Sequence, residues 1–158
     1  MDTKPIEGVT GIFHVNINCS NFERSLAFYQ MLGFKVVSDN GEGSSTRIAQ
    51  GLGLPAGRYR GVLMQIGEGA RATLLDLIQW YEPSSADKPY PGLNHLGICR
   101  LALETPDVSK VYEQLKARGV EFLSEPKLFD AGVAFVCCKD PDGTIVEFIN
   151  ARRFLKLD

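Results

Sequence analysis

Several residue types are scarce in these 158 residues: there is one tryptophan, two histidines, four cysteines and no excess of basic charge. Lys and Arg number 17 against 19 Asp and Glu, a net charge of −2, and the cations form no cluster. That balance argues against a nucleic-acid surface. No apolar run approaches the roughly 20 residues that span a bilayer, and Met1-Asp2-Thr3-Lys4 does not open a signal peptide. A cytoplasmic protein without a membrane or nucleic-acid partner, and without a nucleotide cofactor, is expected. Cys19, Cys99, Cys137 and Cys138 lack zinc-type C-x-x-C spacing. Three of them sit in apolar, strand-like context, so they read as small reduced core residues.

What the chain does have is a repeat. Residues 12–38 and 98–124 align without a gap at an offset of 86: Ile12 falls on Ile98, Leu26 on Tyr112, Gly33 on Gly119 and Ser38 on Ser124. Leu75-Asp76-Leu77-Ile78 then lies over Val146-Glu147-Phe148-Ile149 at the shorter offset of 71. A polar residue in one copy can therefore be checked against its counterpart. With 44% hydrophobic and 23% charged residues, the chain can build one sizeable core or two small halves sharing one.

Each copy reads as β-α-β-β-β. Thr10 to Asn18 alternates, with Phe13, Val15 and Ile17 on one face and His14, Asn16 and Asn18 on the other, which predicts a half-polar strand. Ser20 or Asn21 is placed as a helix N-cap, Phe22, Leu26 and Tyr29 form a helical stripe, and Gly33 is placed to end it. Strands are expected over Phe34–Ser38, Arg60–Ile66 and Ala72–Gln79. The second copy predicts a strand over Leu96–Leu103, then Thr105 as cap with Pro106 at the first helical position. The stripe Val108, Tyr112 and Leu115 and the terminator Gly119 follow, with strands near Glu121–Leu123, Val133–Cys138 and Thr144–Asn150. Asp140-Pro141-Asp142-Gly143 reads as a tight turn.

These elements divide the chain into a first module over 1–81, a Pro-rich linker over 82–92 and a second module over 93–158, together one structural domain of the α+β class. The first copy carries a surplus in Asp39–Arg58, which holds five glycines and reads as a long loop, either a surface loop or a lid. Arg152 and Arg153 read as a solvated chain end.

The paired β-α-β-β-β module, with His14 on the first strand, an acid centred in each last strand and D-P-D-G before the final one, resembles the vicinal oxygen chelate superfamily. That group includes glyoxalase I, methylmalonyl-CoA epimerase, extradiol dioxygenases and bleomycin-binding proteins. The resemblance covers residues 9–151 and implies two sheets curved into a cup, a small-molecule partner and pairing into a homodimer. It also implies four positions pointing into the cup, which carry over as His14, Asp76, Glu147 and position 100. His14, Asp76 and Glu147 would be the ligands of a divalent metal (Zn, Mn, Ni, Co or Fe). An acid centred in an apolar strand is hard to explain as core filling, because an unpaired buried carboxylate is costly.

The fourth position departs from the family pattern. The counterpart of His14 is Arg100, and a guanidinium has no lone pair for a metal. Beside a divalent ion it would be repelled, whereas beside Glu147 or Asp76 it is attracted. Arg100 reads either as half of a buried ion pair or as a holder of a substrate carboxylate or enolate. His95, the other histidine, lies an odd number of residues from Arg100. On a continuous strand it would face away, so it is the weaker metal candidate.

Three functions follow from the resemblance. The first is a lyase or isomerase in which a metal or Arg100 stabilises an enolate while Glu147 or Asp76 moves the proton. The second is an Fe(II) extradiol-type dioxygenase, which would need His95 as a ligand and a proton from Tyr29, Tyr81 or Tyr90. The third is a metal-free small-molecule binder. Asn16, Arg100, Trp80 and Tyr81 are the candidate pocket residues. Arg47, Arg58 and Arg60 flank the long loop and read as solvated surface or as contacts for an anionic substrate tail.

Overall fold

The structure, a computed structural model, describes Lys4 and residues 7–69, 72–129 and 132–151. Arg152 and Arg153 lie outside the described residues. Two compact units meet in sequence after Ser85, within the stretch expected as a linker.

The first unit runs β1 (His14–Asn18), α1 (Phe22–Met31), β2 (Lys35–Ser44), α2 (Thr46–Gly51), β3 (Arg58–Ile66) and β4 (Thr73–Glu82). Its sheet has the order β1-β4-β3-β2, with β1 parallel to β4 and the other pairs antiparallel. Asn21 caps α1, its side chain accepting from the Arg24 N–H at 3.0 Å, and Gly33 takes the left-handed φ of 101° just past the helix. The helix buries Phe22, Ser25, Phe28 and Tyr29, with Tyr29 edge-on to both Phe28 and Phe34. This differs from the expected stripe in one place: Leu26 is only half-buried. Val62, Met64, Leu75 and Leu77 complete the core on the sheet side. Because side chains alternate along a strand, the opposite sheet face carries His14, Asn16 and Asn18.

Asp39–Arg58 is not the loop its glycines suggested. β2 continues through two bulges to Ser44, and Ser45 caps the short α2 through Ile48 N–H. Arg60 clamps the bulged strand, its two Nη atoms donating to the Asp39 carboxylate at 2.6 and 2.8 Å. Gly57 belongs to this packing, because a Cβ there would fall 2.6 Å from the Ser45 carbonyl oxygen.

The second unit runs β5 (Leu101–Glu104), α3 (Val108–Lys116), β6 (Lys127–Leu128), β7 (Ala134–Lys139) and β8 (Ile145–Ile149), in the sheet order β5-β8-β7-β6. Val108, Tyr112 and Leu115 are buried as the stripe requires. The cap differs from the expected one. Asp107, not Thr105, receives the Lys110 N–H, while the Thr105 hydroxyl accepts from Asp107 N–H and shapes the turn into the helix. Pro106 therefore precedes the cap. The strand expected near Glu121–Leu123 is reduced to a bridge between Phe122 and Cys138. In the Asp140–Gly143 turn, the buried Asp140 carboxylate accepts from Asp142 N–H at 2.9 Å and Thr144 N–H at 2.8 Å.

The sheet registers carry both repeat offsets. Asn16 pairs with Asp76 across β1 and β4, and Ala102 pairs with Glu147 across β5 and β8.

Candidate functional site

Each unit places one acid beside one basic side chain at the matching place in its sheet. In the first, the open face of β1 presents His14, and β4 presents Asp76 between the buried Leu75 and Leu77, which point to the other face. His14 Nε2 lies 3.8 Å from Asp76 Oδ2. The Asn16 side-chain amide donates to the Asp76 carbonyl at 3.0 Å and ties the two strands together at that level. Desolvation raises the Asp76 carboxyl above its ordinary value of 3.8, with the His14 imidazole and the Asn16 amide pulling the other way.

In the second unit Glu147 is buried, its side chain 7% exposed, and Arg100 Nε reaches its Oε2 at 2.5 Å from just before β5. The Arg100 side chain is 43% exposed, so the guanidinium sits at the rim of the sheet with Glu147 behind it. Cys137 lies across from Glu147 on β7. Burial, reinforced by the Glu147 charge, pushes its thiol up.

The other expected site residues fall differently. Trp80 shares the Asp76 face, and its indole Nε1–H donates to Asn18 Oδ1 at 3.1 Å. Tyr81, one residue on, points to the opposite face by the strand pleat. There it donates to Glu42 Oε1 at 3.1 Å and stacks under Arg58, on the face away from Asp76. β5 begins only at Leu101, and His95 stands outside any strand with its ring stacked on Tyr90 at 5.8 Å. The alternation argument therefore does not reach it. Tyr29 is fully buried in the α1 core, which removes it as a proton donor at a site. Arg60 and Arg58 are held by Asp39 and Glu82. Tyr59, which is not among the expected site residues, packs against Trp80 with ring centroids 5.2 Å apart. Its signal was its place one residue after Arg58 in an alternating strand, where it shares the face of Gly61 and Leu63.

Within each unit, among the described residues, no three His, Cys, Asp or Glu side chains gather as a metal site. The donor chemistry agrees at the second pair. Arg100 has no lone pair to give, and it already engages the carboxylate a metal would need. A resident metal does not fit at Arg100 and Glu147.

Comparison with known proteins now fits this duplicated arrangement. The chain belongs to the Glyoxalase/Bleomycin resistance protein/Dioxygenase superfamily, whose family model matches residues 11–148. Similar solved structures include a glyoxalase family protein from Bacillus cereus, 14% identical with a TM-score of 0.76, covering 95% of this chain and 97% of that one. The trypanothione-dependent glyoxalase I of Leishmania major is 21% identical with a TM-score of 0.65, covering 94% of this chain and 91% of that one. A superfamily member from Sphaerobacter thermophilus is 26% identical with a TM-score of 0.63, covering 90% and 98%. No curated protein matches the chain significantly. Among the described residues no helix is long and apolar enough to cross a membrane.

Proposed function

We propose that this protein is a small-molecule lyase or isomerase that moves a proton on a carbon next to a carbonyl. Asp76 carries the proton, and the neighbouring His14 imidazole supplies the hydrogen-bond donor for the developing oxyanion. The observation that carries this reading is the Asp76 carboxyl, half-buried in an apolar strand, raised by desolvation and within 3.8 Å of an imidazole. A carboxylate shifted toward neutral pH is a better base for a carbon acid than an ordinary one. His14 supports it by stabilising the charged form and by offering a route for the proton to solvent. Glu147 is the weaker candidate, because Arg100 already engages its oxygen at 2.5 Å.

The step balances with these groups. The C–H bond breaks toward Asp76, its electron pair moves into the carbonyl as an enolate, and the negative oxygen accepts from a ring N–H of His14. Return of the proton to either carbon face, or loss of a neighbouring leaving group, completes isomerisation or elimination.

The pairing of Arg100 with Glu147 also favours a second reading, a non-catalytic small-molecule binder, since a site closed by an ion pair needs no reaction to be stable. The dioxygenase reading is not favoured, because it needs two histidines and a carboxylate and His95 stacks on Tyr90 instead. Incubating the protein in D₂O with 2-oxo acids, 2-oxoaldehyde–thiol adducts and acyl thioesters, followed by proton NMR, tests the proposal. Protein-dependent loss of the C–H signal beside the carbonyl is expected for at least one class. Binding without exchange in every class would establish the binder.

A further inference from the structure

We infer that Tyr59 and Trp80 form a shelf for a flat aromatic or conjugated group of the substrate, whose carbonyl end lies toward Asp76. This deepens the reading of Asp76 above and rests on it. Tyr59 and Trp80 are register partners on β3 and β4, as Leu63 and Asp76 are further along the same strands. All four therefore share one face. The rings stand 5.2 Å apart at 55°, both are half-buried, and the indole is fixed because its N–H is already bonded to Asn18. With that donor satisfied, what the indole offers a ligand is its π-face rather than a hydrogen bond. Gly43 backs the tyrosine, since a Cβ there would meet the Tyr59 ring at 3.6 Å.

Between shelf and carboxylate the face carries a glycine, Gly61, so that the Ile78 side chain forms the floor there. Trp80 lies four residues from Asp76, about 13 Å at the usual strand rise, and the pair between them is Ile78 with Gly61. A Cβ on Gly61 would come within 3.3 Å of Ile78 Cγ1 and 3.7 Å of Tyr59 Cδ2. A side chain there would press on Ile78 and Tyr59 and disturb the apolar floor between the rings and Asp76. A carboxylate at one end, an apolar floor and two rings at the other suit an elongated carbonyl compound with an aryl end, in the manner of pockets that set a few polar groups among apolar walls.

Trp80 is the single tryptophan of the chain, so its emission reports on this shelf alone. The test compares 5-phenyl-2-oxopentanoate with its saturated alkyl analogue 5-cyclohexyl-2-oxopentanoate, by quenching of that emission and by calorimetry. The aryl compound is expected to quench Trp80 and to bind about fivefold more tightly than the alkyl one, the range of an aromatic contact beyond its area. Tyr59→Leu is expected to bring the aryl affinity down to the alkyl one, and Trp80→Leu, read by calorimetry, to do the same should the first variant misfold. Equal affinities in the wild type, absence of quenching, or an aryl preference that survives both variants would overturn the inference. A clear aryl preference with no deuterium exchange in any of the three substrate classes would keep the shelf and overturn the Asp76 reading. Exchange of both compounds at equal affinity would do the reverse.

Discussion

Arg100 Nε stands 2.5 Å from Glu147 Oε2 in the second unit, at the sheet position where the first unit sets His14 3.8 Å from Asp76. One duplicated framework thus carries an acid paired with an imidazole in one copy and an acid paired with a guanidinium in the other. The acids are matched, and the exchange of His for Arg sets a side chain with a nitrogen lone pair beside one and a permanent cation beside the other. An imidazole shares its lone pair with a metal, whereas a guanidinium competes for the carboxylate.

That difference is open to reversal. Arg100→His removes the competing cation and supplies a nitrogen ligand beside Glu147. The expected outcome is a gain in affinity for Zn²⁺ or Ni²⁺ on the order of tenfold or more, measured by calorimetry on the folded variant. Unchanged affinity would show that position 100 does not govern metal binding.

The raised carboxyl of Asp76 fixes the sign of a pH effect on stability. Because its native pKa lies above the unfolded value, the native state holds more of the Asp76 proton between the two, and stability from this group falls as pH rises through that window. At neutral pH the charged Asp76 therefore weakens the fold. Asp76→Asn is expected to melt higher than wild type at pH 7, with the gap closing as the pH drops below the ordinary carboxylate value of 3.8. Melting curves across pH check this. A variant less stable at pH 7 would place the Asp76 charge among stabilising contacts instead.

The four thiols should separate by burial. Cys19, Cys137 and Cys138 are buried and Cys99 is half-buried, and desolvation pushes the Cys138 thiol up to about 12. Only the thiolate reacts with iodoacetamide. At pH 8 the folded protein is expected to label first at Cys99, with Cys138 modified only on unfolding, as peptide mapping would read out. Early labelling of Cys138 would contradict its burial.

The two offsets made the framework legible in the sequence, because a repeat fixes equivalent positions without any knowledge of their contacts. His14, Arg100, Asp76 and Glu147 emerged that way, and the strand registers carry the same equivalences. Elements that depend on long-range packing were harder to read. Five glycines in Asp39–Arg58 suggested a loop, yet Arg60 holds the bulged β2 through Asp39 and Ser45 caps a helix there. Thr105 and Asp107 are both good caps in isolation, and only the turn geometry selects Asp107. Tyr81 parts from Trp80 because a one-residue step along β4 reverses the face. Tyr59 was missed because its role depends on a register partner, Trp80, twenty-one residues away.

The most direct test of the account is the rate of solvent deuterium exchange beside the carbonyl of a substrate found by the D₂O survey, compared between wild type and Asp76→Asn, with circular dichroism confirming that both are folded. If Asp76 carries the proton, the variant should lose about 10²–10⁴-fold in exchange rate. An undiminished rate in a folded Asp76→Asn protein would remove Asp76 from the reaction and contradict the account.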